Sequence, residues 1–112
     1  MRLKRLAALA ASFAVLLAAQ PAQASKRCAK VRVTAASGEK IRATVRVERG
    51  RARCRVARKV ARAILSGRAR YHEGDSHADS YYIVGNWEGG ISTGAWAATN
   101  QVTGAYIIGQ IH

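Results

Sequence analysis

The sequence predicts a small α+β domain in which one helix packs on a mostly antiparallel sheet, with the element order β-β-α-β-β-β. Apolar residues alternate with polar residues over 30–35 and 41–47, which indicates strands. They recur at helical spacing over 54–65, and β-branched and aromatic residues are concentrated after Tyr81. The length of 112 residues allows one such domain and excludes a chain of several domains.

The first 24 residues are typical of a signal peptide that directs export and is then removed. A basic start and an apolar run over residues 6–19 precede Ala22-Gln23-Ala24, which carries the small residues that a signal peptidase requires. This run is shorter than the about 20 residues that a retained membrane helix needs. We therefore expect a signal peptide over 1–24, one secreted domain over 25–112, and no transmembrane segment after cleavage.

The segment over residues 30–47 is predicted to form an antiparallel hairpin with one buried face and one exposed, basic face. A turn is expected at Ser37-Gly38-Glu39, and Gly50 ends the second strand. Polar side chains, including Arg42 and Arg46, are expected to point outward. The side chains expected to point inward are Val31, Val33, Ile41, Ala43, Val45 and Val47.

The apolar period changes to that of a helix near Cys54. No Ser, Thr, Asp or Asn stands at the expected N-cap, so the sequence leaves the first residue of the helix open. Gly67 is expected to end the helix. The apolar face comprises Cys54, Ala57, Val60, Ala61, Ile64 and Leu65, and another face carries Arg55, Arg58, Lys59 and Arg62.

The part of the chain after the helix is predicted to begin with a polar loop over residues 66–80. Three strands are then expected, over 81–84, 94–99 and 105–111, with a turn over 100–104. Four glycines suit turns and bulges rather than a phosphate cradle, because no helix follows them. These glycines are Gly85, Gly89, Gly90 and Gly94.

The two cysteines, Cys28 and Cys54, are predicted to form a disulfide, because an even cysteine count in an exported chain indicates a bridge. The alternative is a metal site, but two cysteines without a nearby histidine make a poor zinc pattern. The bridge would fix the first turn of the helix to the start of the hairpin. It should stabilise the fold by about 3–4 kcal/mol in the chain-entropy model.

The charge is divided by position along the chain. The formal net charge is +13, and it becomes +10 once residues 1–24 are removed. Residues 26–70 carry +14, whereas residues 71–112 contain no Lys or Arg and carry −4. Such asymmetry is typical of proteins that bind polyanions, and it is equally compatible with one domain whose basic and acidic parts face one another.

The basic surface is the strongest candidate for a binding site, because guanidinium groups match phosphate and carboxylate groups. No aromatic residue lies within 25–70, which argues against single-strand and sequence-specific nucleic-acid binding. Export points instead to an anionic cell-envelope component or an acidic protein, and the alternative is a solvated face without a ligand. The candidate polyanion-binding residues are Arg42, Arg46, Arg51, Arg53, Arg55, Arg58, Lys59 and Arg62.

The loop over residues 71–79 is a second candidate, for a divalent cation. Asp75, His77 and Asp79 are spaced by two, so an extended loop would point them the same way, with His72 nearby. This arrangement would make the protein a metal-binding protein or a metal-dependent enzyme. The alternative is a polar loop that neutralises part of the basic face.

Catalytic motifs are absent from the sequence: it contains no G-x-S-x-G, H-E-x-x-H or P-loop pattern. A domain of this size also leaves little room for a substrate cleft, so we expect no enzyme activity and no cofactor. Trp87 and Trp96 could line a sugar or peptide groove, and a structural or inhibitory module would then act through them and the C-terminal strand. The alternative is that both indoles belong to the core.

The order of these elements resembles a family of small exported disulfide-containing domains of actinobacteria, whose function is not established. The resemblance rests on two segments, the helix start Cys54-Arg55-Val56-Ala57-Arg58-Lys59-Val60 and the segment Val84-Gly85-Asn86-Trp87-Glu88. The second segment corresponds to a Gly-Trp-x-Cys motif, with Glu88 at the position of the cysteine and Ala97 or Ala98 at that of the last one. The resemblance implies the same fold with the second cysteine pair lost together, and it implies no activity.

Overall fold

The computed structural model of the protein describes residues 25–76 and 79–112. The predicted signal peptide therefore lies outside the described residues, and so does His77. In the described part, one helix packs on one face of a seven-stranded sheet in which every neighbouring pair of strands is antiparallel. The predicted α+β class is confirmed.

The sheet has the strand order β1-β2-β7-β6-β5-β4-β3, so the last strand inserts between the N-terminal hairpin and the rest of the sheet. The helix α1 follows the hairpin and packs mainly on β1 and β2. The elements are β1 Lys26–Thr34, β2 Lys40–Arg49, α1 Cys54–Ser66, β3 Arg70–His72, β4 Tyr81–Val84, β5 Trp87–Ser92, β6 Ala95–Asn100 and β7 Tyr106–Gln110.

Two strands depart from the sequence-based prediction. The segment over 66–80 is not all loop, because β3 forms there as an edge strand of three exposed residues that lacks any apolar alternation. β5 was missed because two adjacent glycines weaken a strand signal. Gly85 and Gly94 do lie in turns, but Gly89 and Gly90 lie within β5, paired with Ala98 and Ala97 of β6.

The core lies between α1 and the sheet. The inward-facing residues of the hairpin are buried as predicted, apart from Ile41, which is only partly buried at the start of β2. Both tryptophans belong to this core, with Trp87 7% and Trp96 1% exposed, so the alternative that the indoles are core residues is confirmed and they line no groove. The helix contributes Ala57, Val60, Ala61, Ile64 and Leu65 to the core.

The two ends of α1 are held by different means. Arg53 is the N-cap residue, and its side chain caps no backbone N–H group of the first turn. The disulfide between Cys54 and Cys28 is present, with a Cα–Cα distance of 5.3 Å, and it joins the first turn of the helix to β1. At the other end, Gly67 has a φ of 77° and donates its N–H to the carbonyl of Ile64, as expected for a left-handed terminator.

The contact between β2 and β7 is completed by side chains. Trp96 donates its indole N–H to the carbonyl oxygen of Thr44 at 2.9 Å, and the Thr44 hydroxyl accepts from the backbone N–H of Gln110 at 2.8 Å. Gly109 makes this possible, since a Cβ at that position would overlap the Thr44 carbonyl and the Trp96 nitrogen. The C-terminal strand is thereby fixed against the hairpin.

No helix in the described part of the chain is both long enough and apolar enough to cross a membrane.

Candidate polyanion-binding surface

The basic residues predicted to form one surface lie on two different faces of the molecule. Arg42 and Arg46 alternate with the buried Ala43 and Val45 on β2, so they project from the sheet face that α1 does not cover. The basic face of α1 lies on the other side of the sheet. Its exposed side chains are Arg55, Lys59 and Arg62. The candidate residues of the hairpin and of the helix therefore do not form one continuous surface.

The remaining predicted residues take other positions. Arg51 and Arg53 are exposed in the connection between β2 and α1. Arg58 is half-buried and donates from Nη2 to the backbone carbonyl of Lys30 at 3.3 Å, so its guanidinium helps to fix α1 to β1. A structural role at Arg58 makes it a poor candidate for ligand binding.

Four further basic residues join Arg42 and Arg46 on the helix-free face of the hairpin. The alternation of the sequence places Arg32 and Lys40 there, because they flank Val33 and Ile41. Arg27 lies opposite Arg46, and Lys30 lies in the irregular part of β1. We call this set the sheet-face patch: Arg27, Lys30, Arg32, Lys40, Arg42 and Arg46.

Two adjoining hollows lie along the sheet-face patch. The first has a volume of about 460 Å³ and is lined by Arg27, Lys30 and Arg46 together with Thr44 and Ile108, among others. No described Asp or Glu side chain lines it. A surface hollow with a cationic lining and no carboxylate suits an anionic ligand.

The second hollow has a volume of about 470 Å³, and its lining includes Arg32, Lys40 and Arg42. His112 lines both hollows, so they meet at the end of the chain. Again no carboxylate of the described residues takes part. The two hollows together form an elongated basic surface that follows the hairpin.

Arginines face each other across the hairpin at two positions. Arg27 is the register partner of Arg46, and Arg32 is the register partner of Arg42. Like charges directly opposite each other on antiparallel strands destabilise a sheet. These pairs therefore cost stability in the free protein, and a bound anion would relieve the repulsion.

Glu48 contacts one residue of the patch, Arg46. Its Oε2 lies 2.8 Å from Nε of Arg46, although the approach lacks hydrogen-bond geometry, and both side chains are about two-fifths exposed at 41% and 42%. An ion pair this exposed contributes little to stability. Glu48 lowers the net charge beside Arg46, and the other basic residues of the patch form no ion pair within the described residues.

The acidic loop does not neutralise the basic residues. Within 25–76 and 79–112, Arg46–Glu48 is the one ion pair, so Glu73, Asp75 and Asp79 contact no Lys or Arg side chain of that part. Asp79 instead accepts a hydrogen bond from the hydroxyl of Ser76 at 3.0 Å. The prediction that this loop neutralises the basic face is wrong for the described residues.

The proposed cation site on the same loop gains no support from the geometry. No group of three His, Cys, Asp or Glu side chains in the described segments is close enough to hold a metal ion. His72 stacks on Tyr81 with a centroid distance of 4.8 Å, and it lies on a strand rather than in the loop with Asp75. His77, the third predicted ligand, lies outside the described residues.

Of the six residues of the sheet-face patch, two were among the sequence-based candidates, Arg42 and Arg46. The outward positions of Arg32, Arg42 and Arg46 follow from simple alternation. The position of Arg27 does not, because β1 carries an irregularity between Cys28 and Val31 that shifts the register. No signal in the sequence alone indicates where such a shift occurs.

Comparisons of the chain with protein-family models, with curated proteins and with solved structures return no match.

Proposed function

We propose that the protein is a small exported, disulfide-stapled module that binds anionic polymers of the cell envelope through the sheet-face patch. The observation that carries this proposal is the pair of adjoining hollows, which are lined by six cationic side chains and by no described carboxylate. A linear polyanion laid along the hairpin would contact both hollows. Binding would release counterions, so the affinity should fall steeply as salt rises.

Export is part of the same proposal. A disulfide persists in oxidising compartments outside the cytoplasm, and the bridge between Cys28 and Cys54 is consistent with such a destination. The basic, apolar and small-residue pattern of residues 1–24 supports a cleaved signal peptide. An exported basic module meets envelope polymers and extracellular proteins before it meets nucleic acid.

A pair of matched variants tests the patch. The sheet variant Arg32→Thr/Arg42→Thr/Arg46→Thr removes three charges from the helix-free face, and threonine suits exposed strand positions. The helix variant Arg55→Gln/Lys59→Gln/Arg62→Gln removes three charges from the opposite side, and glutamine suits a helix. Binding of linear polyphosphate and of polyglutamate is measured by fluorescence anisotropy over a range of salt concentrations.

The expected result is that the sheet variant loses affinity for at least one polymer and the helix variant keeps it. The slope of log K against log salt should fall in magnitude by about 0.7–0.9 for each contact that is lost. Equal losses in the two variants would mean that net charge alone drives binding, and the proposal would fail. Absence of binding to both polymers by the unmodified protein would also reject it.

A further inference from the structure

The β-bulge in β1 places two arginines, which are an odd number of residues apart in the sequence, on the same face of the sheet. Arg27 and Arg32 are five residues apart, so in a regular strand they would point to opposite faces of the sheet. The register shift between Cys28 and Val31 adds one residue to β1 and restores both side chains to the helix-free face. Bulges are frequent next to functional sites, where they re-aim side chains.

Because of this bulge, arginines of β1 face arginines of β2 at two positions along the hairpin. The partners on β2, Arg42 and Arg46, are four residues apart, which corresponds to about 13–14 Å at 3.4 Å per residue. Each pair lies beside one of the two hollows, with Arg27 and Arg46 lining the first and Arg32 and Arg42 lining the second. The surface therefore presents two facing arginine pairs along one hairpin, and Glu48 lies beside the pair that contains Arg46.

A pair of guanidinium groups suits a phosphomonoester better than a carboxylate, because the two anions differ in charge and in the number of acceptor oxygens. Two guanidinium groups supply a charge of about +2 and forks of N–H donors that approach from two strands. A phosphomonoester carries about −1.5 to −2 at neutral pH and offers three acceptor oxygens that point in different directions. A carboxylate carries a single charge on two coplanar oxygens, so at Arg32 and Arg42, which have no ion-pair partner among the described residues, it leaves one guanidinium without a full counter-charge.

We infer that each facing arginine pair is a binding site for one phosphomonoester group, and that the partner is a polymer that bears such groups along its length. This inference rests on the proposed function, since it names the chemistry of the ligand for the same surface. One polymer spans both pairs, and its groups bind about 13–14 Å apart, the spacing of Arg42 and Arg46 along β2. The exposed Arg27, Arg32 and Arg42 are available for it, because none is in an ion pair within the described residues.

Variants that keep the charge but not the guanidinium group test whether binding depends on arginine geometry or only on the attraction of opposite charges. Lysine keeps the charge but lacks the planar fork that arginine offers to phosphate. The pair variant carries Arg27→Lys, Arg32→Lys, Arg42→Lys and Arg46→Lys. The matched control carries Arg55→Lys and Arg62→Lys on the exposed side of α1, and thermal unfolding of both variants checks that the fold is retained.

The probes are a peptide with several phosphoserines and the same peptide with two glutamates in place of each phosphoserine, so that total charge is similar. We expect the unmodified protein and the helix control to bind the phosphoserine peptide about tenfold more tightly than the glutamate peptide, a difference of about 1.4 kcal/mol. The pair variant should lose this preference and keep its affinity for the glutamate peptide.

Titration with inorganic phosphate and with acetate at equal ionic strength provides a direct readout. Phosphate should shift the NMR signals of the Nε–Hε groups of Arg27, Arg32, Arg42 and Arg46, whereas acetate should shift them less. Equal affinity of the unmodified protein for the two peptides, or an undiminished preference in the pair variant, would overturn the inference and leave the proposed function intact. Failure to bind either peptide would reject both.

Discussion

At the scale of single residues, Gly109 occupies the position where the fold leaves no room for a side chain. A Cβ at this position would overlap the indole nitrogen of Trp96 and the Thr44 carbonyl to which that nitrogen donates. Gly109→Ala should lower the free energy of unfolding by about 3 kcal/mol, because overpacking a rigid backbone contact costs that much or more. Urea unfolding measures the change.

Gly90 offers the control for this prediction, because a Cβ there meets no atom within 4 Å and its φ is not positive. Gly90→Ala should change the free energy of unfolding by less than about 0.5 kcal/mol. Similar effects of the two substitutions would contradict the role given to Gly109. The contact spans 52 residues of sequence, from Thr44 to Trp96, which is why no local pattern predicts it.

A second prediction at the residue scale concerns the start of α1. Arg53 has N-cap geometry, with φ −75° and ψ 143°, but its side chain cannot accept a hydrogen bond from the first turn, which also contains no acidic residue. Arg53→Asp should raise the free energy of unfolding by about 1 kcal/mol, because it supplies a cap and a charge that suits the helix N-terminus. The affinity for polyphosphate should change little, since Arg53 lines neither hollow. A loss of stability would contradict the cap assignment.

At the scale of elements, the disulfide determines how α1 is fixed to the hairpin. The bridge closes a loop with a sequence separation of 26 residues, so its removal should lower the free energy of unfolding by about 3–4 kcal/mol. Cys28→Ser/Cys54→Ser tests this by urea unfolding, with the reduced unmodified protein as a second comparison. A loss below about 1 kcal/mol would show that packing alone holds the helix.

The hairpin itself offers a test of the facing arginines. Arg42→Glu replaces a like-charge pair with an opposite-charge pair against Arg32, which should stabilise the free protein by about 0.5 kcal/mol at low salt. The gain should shrink as salt rises, because the pair is exposed. The same substitution should weaken polyphosphate binding. A destabilised variant at low salt would mean that Arg32 and Arg42 do not repel each other in the free protein.

The helix and some of the strands could be predicted from the sequence, and others could not. The hairpin and helix were predictable, because apolar alternation over 41–47 and helical spacing over 54–65 are strong local signals. β3 and β5 were not, since a three-residue edge strand and a Gly-Gly pair gain their pairing from neighbours rather than from their own propensity. The position of β7 between β2 and β6 is a property of the whole sheet.

At the scale of the whole molecule, the basic half of the sequence is divided between the two faces of the sheet. Basic side chains of the hairpin lie on the helix-free face, and those of α1 lie on the opposite side. The acidic residues of the described loop form no ion pairs with them. Strand alternation predicted part of the sheet-face patch, whereas the bulge that adds Arg27 to it could not be read from the sequence. The same bulge turns Cys28 toward α1, so one irregularity serves both the disulfide and the patch.

The central claim is that the helix-free face of the hairpin, rather than the basic face of α1, binds polyanions. Titration of the isotope-labelled protein with linear polyphosphate, followed by backbone and arginine side-chain NMR signals, tests it most directly. We predict that the largest shifts map to β1, β2 and the adjoining end of β7, around Arg32, Arg42 and Arg46. Largest shifts on α1, around Arg55, Lys59 and Arg62, would contradict it.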